Sequence, residues 1–274
     1  MTHDIEVRTW ADFQQQMERL QIRTTSAAPS DGHASELLFR GQSNAEWHLQ
    51  TTLERWAKPE VDLQSYYANI CAVQSEIESQ TGRKWEIPKF AEYQTRWLSE
   101  DGYDYLTPGQ LYEYLVYLRH HGFPSPLLDW TASPYIAAYF AFKSSDPADP
   151  MGNVAIYAYR EHARGVKFGI RYAPRICVLG PFVRSHQRHF LQQSRYTVCL
   201  EGCGVDRRYV PHERAFDIGH TDQDQEWKFV LPRSLRKEVL RYLQQHNITA
   251  FSLFGSEEML MESLATREFV LQRK

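Results

Sequence analysis

Two clusters of side chains in this chain have the types and spacing of a ligand site. The first is the run His120 to Phe142, HHGFPSPLLDWTASPYIAAYFAF, where Asp129, Trp130, Thr131 and Ser133 sit at the junction of a short apolar strand and a helix start. In mixed α/β proteins ligands are held at that junction, because the strand ends and loops there present polar groups to an open crevice. A helix N-terminus adds free N–H groups and positive potential for an anion. Ser133 followed by Pro134 also reads as an N-cap with proline at N1, which accounts for the serine structurally. It does not account for Asp129, Trp130 and Thr131 as a set, and His120, His121 and Gly122 arrive just before, close enough to line the same pocket.

The second cluster is Arg40-Gly41-Gln42, closing the apolar stretch Leu37-Leu38-Phe39. A strand-terminal guanidinium offers a rigid fork of donors suited to phosphate. Gly41 lets backbone pass a ligand with no Cβ in the way. The same residues also read as an ion-paired arginine before a turn glycine. Gln192 and Gln193 precede a β-like run and suit an amide or a ribose hydroxyl, or equally the cap of a sheet edge. Glu226 shares a strand face with Lys228, and Glu257 and Glu258 follow a late strand; each reads as surface charge or as a site acid. No His, Cys or Asp set has metal-ligand spacing, and of Cys71, Cys177, Cys199 and Cys203 only the last two are close, so no metal is expected and ordinary reduced thiols are. No GxGxxG, Walker, GxSxG or HExxH pattern occurs.

These residues need elements to hold them. The chain of 274 residues is 42% hydrophobic and 24% charged, which supports a sizeable core, and its net charge of -3 gives no general footprint for nucleic acid. A local basic stretch lies between Arg184 and Arg195. Val7, Trp10, Phe13, Met17 and Leu20 recur at helical spacing after Thr9, a plausible N-cap. A loop is expected at 24–34, a strand at 36–40, a helix at about 62–80, irregular chain at 85–106, and a helix through Leu111, Leu115 and Leu118. Strands are expected at 152–159, 177–179, 196–200 and 227–231, then a helix through Leu235, Val239, Tyr242 and Leu243, and a last strand at 248–254. This order predicts an α+β fold: a single domain over 1–274, with an N-terminal helix and loop to residue 34, and a core over 35–265. The core has a mixed or antiparallel sheet with flanking helices and a helical insertion at about 58–118. The N-terminus lacks a signal core and no apolar run approaches the length of a membrane span, so a cytoplasmic protein without membrane contact is expected.

At these residues the chain resembles the FRG-domain family, whose Phe-Arg-Gly stands here as Phe39-Arg40-Gly41. The likeness runs on through Gln42-Ser43-Asn44 and Trp47, is strongest at His120, Gly122, Pro124 and Leu127 to Pro134 with Ala137, Tyr139, Phe140 and Ala141, and returns at Arg188, Gln192, Tyr196 and Thr197. Ser125-Pro126 stands where the family usually has Thr-Arg, and Phe254 to Met259 lacks the proline and final glycine of the family's closing motif. The order of motifs is in turn similar to that of ADP-ribosyltransferases. That resemblance implies Arg40 on the phosphates or ribose of NAD, and Thr131 and Ser133 in the nicotinamide pocket. It implies Tyr139 or Trp130 stacked on the nicotinamide, and a late acid, Glu226 or Glu258, steadying the ribosyl cation. NAD is then a substrate, bound through Arg40, Gly41, Gln42, His120, Asp129, Trp130, Thr131, Tyr139 and Gln192. The acceptor would be a protein, a nucleic acid or water. A toxin or phage-conflict setting with an antitoxin or immunity partner is implied by resemblance alone. Two other readings remain: a nucleotide-binding module without turnover, and a factor acting on nucleic acid through the basic stretch.

Overall fold

The computed structural model describes residues 3–26, 35–57, 59–97, 110–144, 152–163, 167, 172–180, 183–184 and 186–272. The helices are α1 (Trp10–Ser26), α2 (Thr52–Trp56), α3 (Leu63–Thr81), α4 (Phe90–Trp97), α5 (Gln110–His120), α6 (Pro134–Phe142), α7 (Gln187–Leu191), α8 (Glu213–Asp217), α9 (Arg236–Gln245), α10 (Ala250–Phe254) and α11 (Glu257–Ala265). The strands are β1 (His3–Glu6), β2 (Leu37–Gln42), β3 (Val61–Asp62), β4 (Leu128–Thr131), β5 (Asn153–His162), β6 (Arg175–Leu179), β7 (Ser194–Glu201), β8 (Arg208–Tyr209) and β9 (Gln223–Pro232). They form one mixed sheet in the order β1-β9-β5-β2-β4-β7-β8-β3, with β6 on β7. β1 runs parallel to β9, and the other described pairs are antiparallel. The expected mixed α/β class with flanking helices is therefore what the chain adopts.

Alternation along β2 divides its residues between two cores. Phe39 packs with Val7, Trp10, Phe13, Met17, Ala137, Ala141, Phe229 and Val239, so α1, α6 and α9 cover that face. Leu38 points the other way, into a cluster with Trp130, Tyr157, Tyr159, Cys199, Phe216 and Val230. Farther along the sheet, α3 and α5 pack Tyr66, Tyr67, Ile70, Tyr112, Leu115 and Leu118 against Tyr196 and Val198 of β7. The Thr9 hydroxyl accepts from the Asp12 N–H, capping α1 as its sequence predicts.

Two stretches depart from expectation. Residues 248–254 are not a strand: Ala250–Phe254 is a helix opened by a capping box between Thr249 and Ser252 and closed by Gly255 at φ 71°. Two reciprocal side-chain bonds and a left-handed glycine outweigh the β-favouring Ile-Thr-Phe composition. Glu257 and Glu258 consequently lie in the first turn of α11, not in a turn after a strand. The irregular 85–106 stretch contains α4, and its 98–106 portion lies outside the described residues, as do 27–34 of the expected loop.

Candidate functional site

The site begins with a gap in the sheet. β2 pairs with β5 over the whole of Leu37 to Gln42, and β4 pairs with β7 over Leu128 to Thr131. Between β2 and β4 the register holds only at Phe39 opposite Thr131. Beyond that pair the two strands part, and a cavity of about 490 Å³ opens between them. Its lining includes Arg40, Gly41, Gln42, Trp47, His48 and Arg55 from the β2 side and His120, Asp129, Trp130, Thr131, Gln192, Ser194 and Tyr196 from the β4–β7 side. Ala137, Phe140 and Lys143 close it from α6 and its end. A backbone ladder that stops leaves carbonyls to be satisfied some other way. Here the Arg40 side chain crosses the gap, and its Nη1 donates to the Asp129 carbonyl at 2.7 Å.

The charge balance of this cleft is lopsided. Arg40, Arg55 and Lys143 line it as cations, and Asp129 is the one carboxylate among the lining residues. That carboxylate is already engaged, because Arg119 Nη2 donates to its Oδ2. Arg40 keeps a carbonyl for its partner, its Nε is buried with none, and burial pulls its pKa down to about 10, the Asp129 charge opposing and Arg119 adding to the fall. The guanidinium still carries its charge at neutral pH. Arg40 is half-buried, and a cation drawn that far out of water with no carboxylate bonded to it gains from an anion that completes it. Lys143 Nζ lies 5.5 Å from the centroids of both Phe140 and Phe254, a cationic edge beside an aromatic wall.

His120 faces the cleft with its Nε2 2.8 Å from Tyr196 Oη, and His189 Nδ1 lies 3.4 Å from the same oxygen. Burial pushes the His120 imidazole below its ordinary value, Asp129 opposing. Behind the cleft, Trp130 Nε1 donates to Thr197 Oγ1 at 2.8 Å, and that hydroxyl lies 2.8 Å from His212 Nε2. Burial, with Arg40 and Lys167 adding, pulls His212 down to about 3. With the indole donating to Thr197, the hydroxyl proton is free for a neutral His212.

Several expected site residues have other employment. Ser133 caps α6, its hydroxyl accepting from the Ile136 N–H, and it does not line the cleft. Thr131 does line it, but its hydroxyl donates to the Gln192 carbonyl at 2.7 Å and accepts from the Ser133 N–H. Gln192 lines the cleft while its Nε2 donates to the Leu253 carbonyl. Gln42 donates to the His48 carbonyl and leaves its Oε1 buried without a partner. Gly41 spares room for α6 rather than for a ligand, since a Cβ there would lie 1.9 Å from the Ala137 carbonyl oxygen. Trp130 is 3% exposed and packs on Tyr159, so its ring offers no stacking face. Tyr139 points away, its hydroxyl 3.4 Å from Glu262 on α11. The aromatic faces at the cleft are instead Trp47, 56% exposed, and Phe140.

The two expected acids lie elsewhere. Glu226 stands on β9 opposite Tyr159 of β5, so β5 separates it from β2. Lys228, on the same strand, lies 3.5 Å from Asp4. Glu258 is exposed on α11, its carboxyl held below the usual range by the Ser256 hydroxyl. Arg55, Lys143 and Arg119 carried no signal in the sequence, since each reaches the site through tertiary packing.

A sheet split between two central strands, with a cationic cleft in the split and a capped helix beside it, defines a mixed α/β fold with one candidate ligand cleft. Residues 35–150, which contribute both strands flanking the split, α6 and all three of the cleft's Arg and Lys side chains, match the family model described as FRG domain, in support of the FRG family. No curated protein and no solved structure matches the chain. Among the described residues no helix is long and apolar enough to cross a membrane, and no group of three or more His, Cys, Asp or Glu side chains is placed to hold a metal ion.

Proposed function

We propose that the cleft binds a pyrophosphate-bearing nucleotide, NAD in the first instance. The observation that carries this reading is Arg40, a half-buried guanidinium lining an open cavity whose one carboxylate is taken by another arginine. A phosphate oxygen supplies a hydrogen-bonded counter-charge, where the Asp129 carboxylate acts on Arg40 only through its charge. Arg55 and Lys143 extend the cationic lining toward a second phosphate, and Trp47 and Phe140 offer faces for a planar ring. The cavity of about 490 Å³ is of the size that takes a nucleotide. Titration calorimetry with NAD, ADP-ribose and adenosine tests it. Both pyrophosphates should bind, more weakly as salt rises, and adenosine should bind far more weakly. Adenosine binding as tightly as ADP-ribose would contradict the reading.

Turnover is a second reading: transfer of ADP-ribose to a protein or nucleic-acid acceptor, or to water. Asp129 favours it, being the lone lining carboxylate, with an oxygen that has no hydrogen-bond partner. As the ribose–nicotinamide bond breaks, its electron pair leaves with nicotinamide and positive charge develops on the ribose, where a fixed carboxylate stabilises it. In this reading His120, at the cleft wall beside Tyr196, takes the acceptor's proton. Release of nicotinamide from NAD should vanish in Asp129→Asn and persist in Glu226→Gln and Glu258→Gln. Release that survives Asp129→Asn would remove Asp129 from this role.

A further inference from the structure

Arg119 does not line the cleft, yet it decides the charge there. Its Nη2 grips Asp129 Oδ2, its side chain is 18% exposed, and it stands on α5 next to His120. Asp129 touches both arginines with different atoms: the carboxylate goes to Arg119 and the carbonyl to Arg40. The other carboxylate oxygen, Oδ1, is buried without a partner, so the pair is monodentate and the carboxylate is free to turn if Arg119 is lost. The cation for it to turn toward is Arg40, which already holds the Asp129 carbonyl and whose Nε is also unpartnered.

We infer that Arg119 is a positioning residue that keeps Asp129 off Arg40, leaving the Arg40 guanidinium free for a phosphate and making the cleft selective for pyrophosphate-bearing nucleotides over neutral nucleosides. The inference rests on the nucleotide reading above and adds to it a residue outside the contact surface. Without Arg119, the Asp129 carboxylate neutralises Arg40 from inside the protein and competes with the incoming anion. A nucleoside does not call on that charge, so its binding is unaffected by the exchange of partners.

The test is a double-mutant cycle read by calorimetry, with ADP-ribose and adenosine as probes and Arg119→Gln made in the wild-type and Asp129→Asn backgrounds. In the wild-type background Arg119→Gln should weaken ADP-ribose about tenfold, and in the Asp129→Asn background about twofold or less, the signature of a coupled pair. Adenosine affinity should not change. Were Arg119 merely one more positive charge at a distance, its loss would weaken ADP-ribose equally in both backgrounds, and that result overturns the inference. Equal affinity of wild type and Arg119→Gln for ADP-ribose overturns it as well. If Arg119→Gln does not fold, Arg119→Lys is compared in the same two backgrounds, with a several-fold loss expected only where Asp129 is present. A wild-type protein that binds no ADP-ribose sinks the nucleotide reading and this inference together. Binding without coupling sinks the inference alone.

Discussion

Gly41 and Ala137 touch where two motifs far apart in the chain meet: a Cβ on the glycine would sit 1.9 Å from the alanine's carbonyl oxygen and 2.7 Å from the Ala141 nitrogen. The glycine of Phe-Arg-Gly and the alanines of SPYIAAYFA are thus one structural device. They bring α6 down onto β2 so that the cleft has a floor. Gly41→Ala has nowhere to place its methyl group, because both neighbours are backbone. Expected is a loss of about 3 kcal/mol or more, seen as a lower denaturant midpoint in equilibrium unfolding. Unfolding indistinguishable from wild type would show that the helix can lift off at no cost.

Ser133 was a plausible ligand hydroxyl in the sequence and is a helix cap in the fold. Ser133→Ala should lower stability by about 1 kcal/mol. Nucleotide affinity should stay within about twofold of wild type, because the hydroxyl does not reach the cleft. A large loss of affinity with unchanged stability would reverse that assignment.

The Trp130–Thr197–His212 chain is buried throughout. Thr197→Val keeps the shape and removes the central hydroxyl, leaving an indole N–H and an imidazole nitrogen without partners. Each such orphan costs about 1–3 kcal/mol. Urea unfolding should show the combined effect, and Thr197→Ser should recover most of it.

His212 also sets a pH dependence. Its folded pKa, about 3, is depressed below the ordinary histidine value of about 6.5 by burial first, then Arg40 and Lys167. Between those two values the unfolded chain holds a proton that the folded chain refuses, so stability is full above the unfolded pKa and falls as pH drops toward the folded one. The slope in that window is about 1.4 kcal/mol per pH unit for one such group. His120 and His162, also depressed mainly by burial, act in the same direction. Unfolding free energies measured from pH 7 to pH 4 should decline, and less steeply in His212→Gln. An identical slope in the variant would mean that His212 titrates alike in both states.

Much of the scaffold was legible because local chemistry writes it. The apolar period of α1, its Thr9 cap, the Ser133-Pro134 start of α6 and the long β5 and β9 runs follow from pattern and capping alone. Arg40, His120, Asp129, Thr131 and Gln192 were drawn from strand and helix ends, and the fold brings all of them to one cleft. What escaped the sequence is non-local or ambiguous in kind. Residues 248–254 form an apolar run too short for periodicity to separate helix from strand, and the caps at Thr249 and Gly255 decide it. The face of α6 that meets the cleft was unreadable, since Pro134, Ile136, Ala137, Ala138, Tyr139, Ala141 and Phe142 are all buried and no polar stripe marks a side. Hence Tyr139 was a candidate and Phe140 was not. Glu226 was misplaced because strand order, not strand existence, determines its distance from Arg40. The gap between β2 and β4 has no sequence signature at all: it is a register that stops after one pair.

The central claim is that the Arg40 guanidinium is held ready for a phosphate. Calorimetric titration of ADP-ribose into wild type and Arg40→Gln, both confirmed folded by thermal melting, measures it directly. Wild type should bind, and the variant should lose roughly thirtyfold or more, in keeping with removal of one partner from a buried charge-assisted contact. An Arg40→Gln protein that binds ADP-ribose as tightly as wild type would contradict the account.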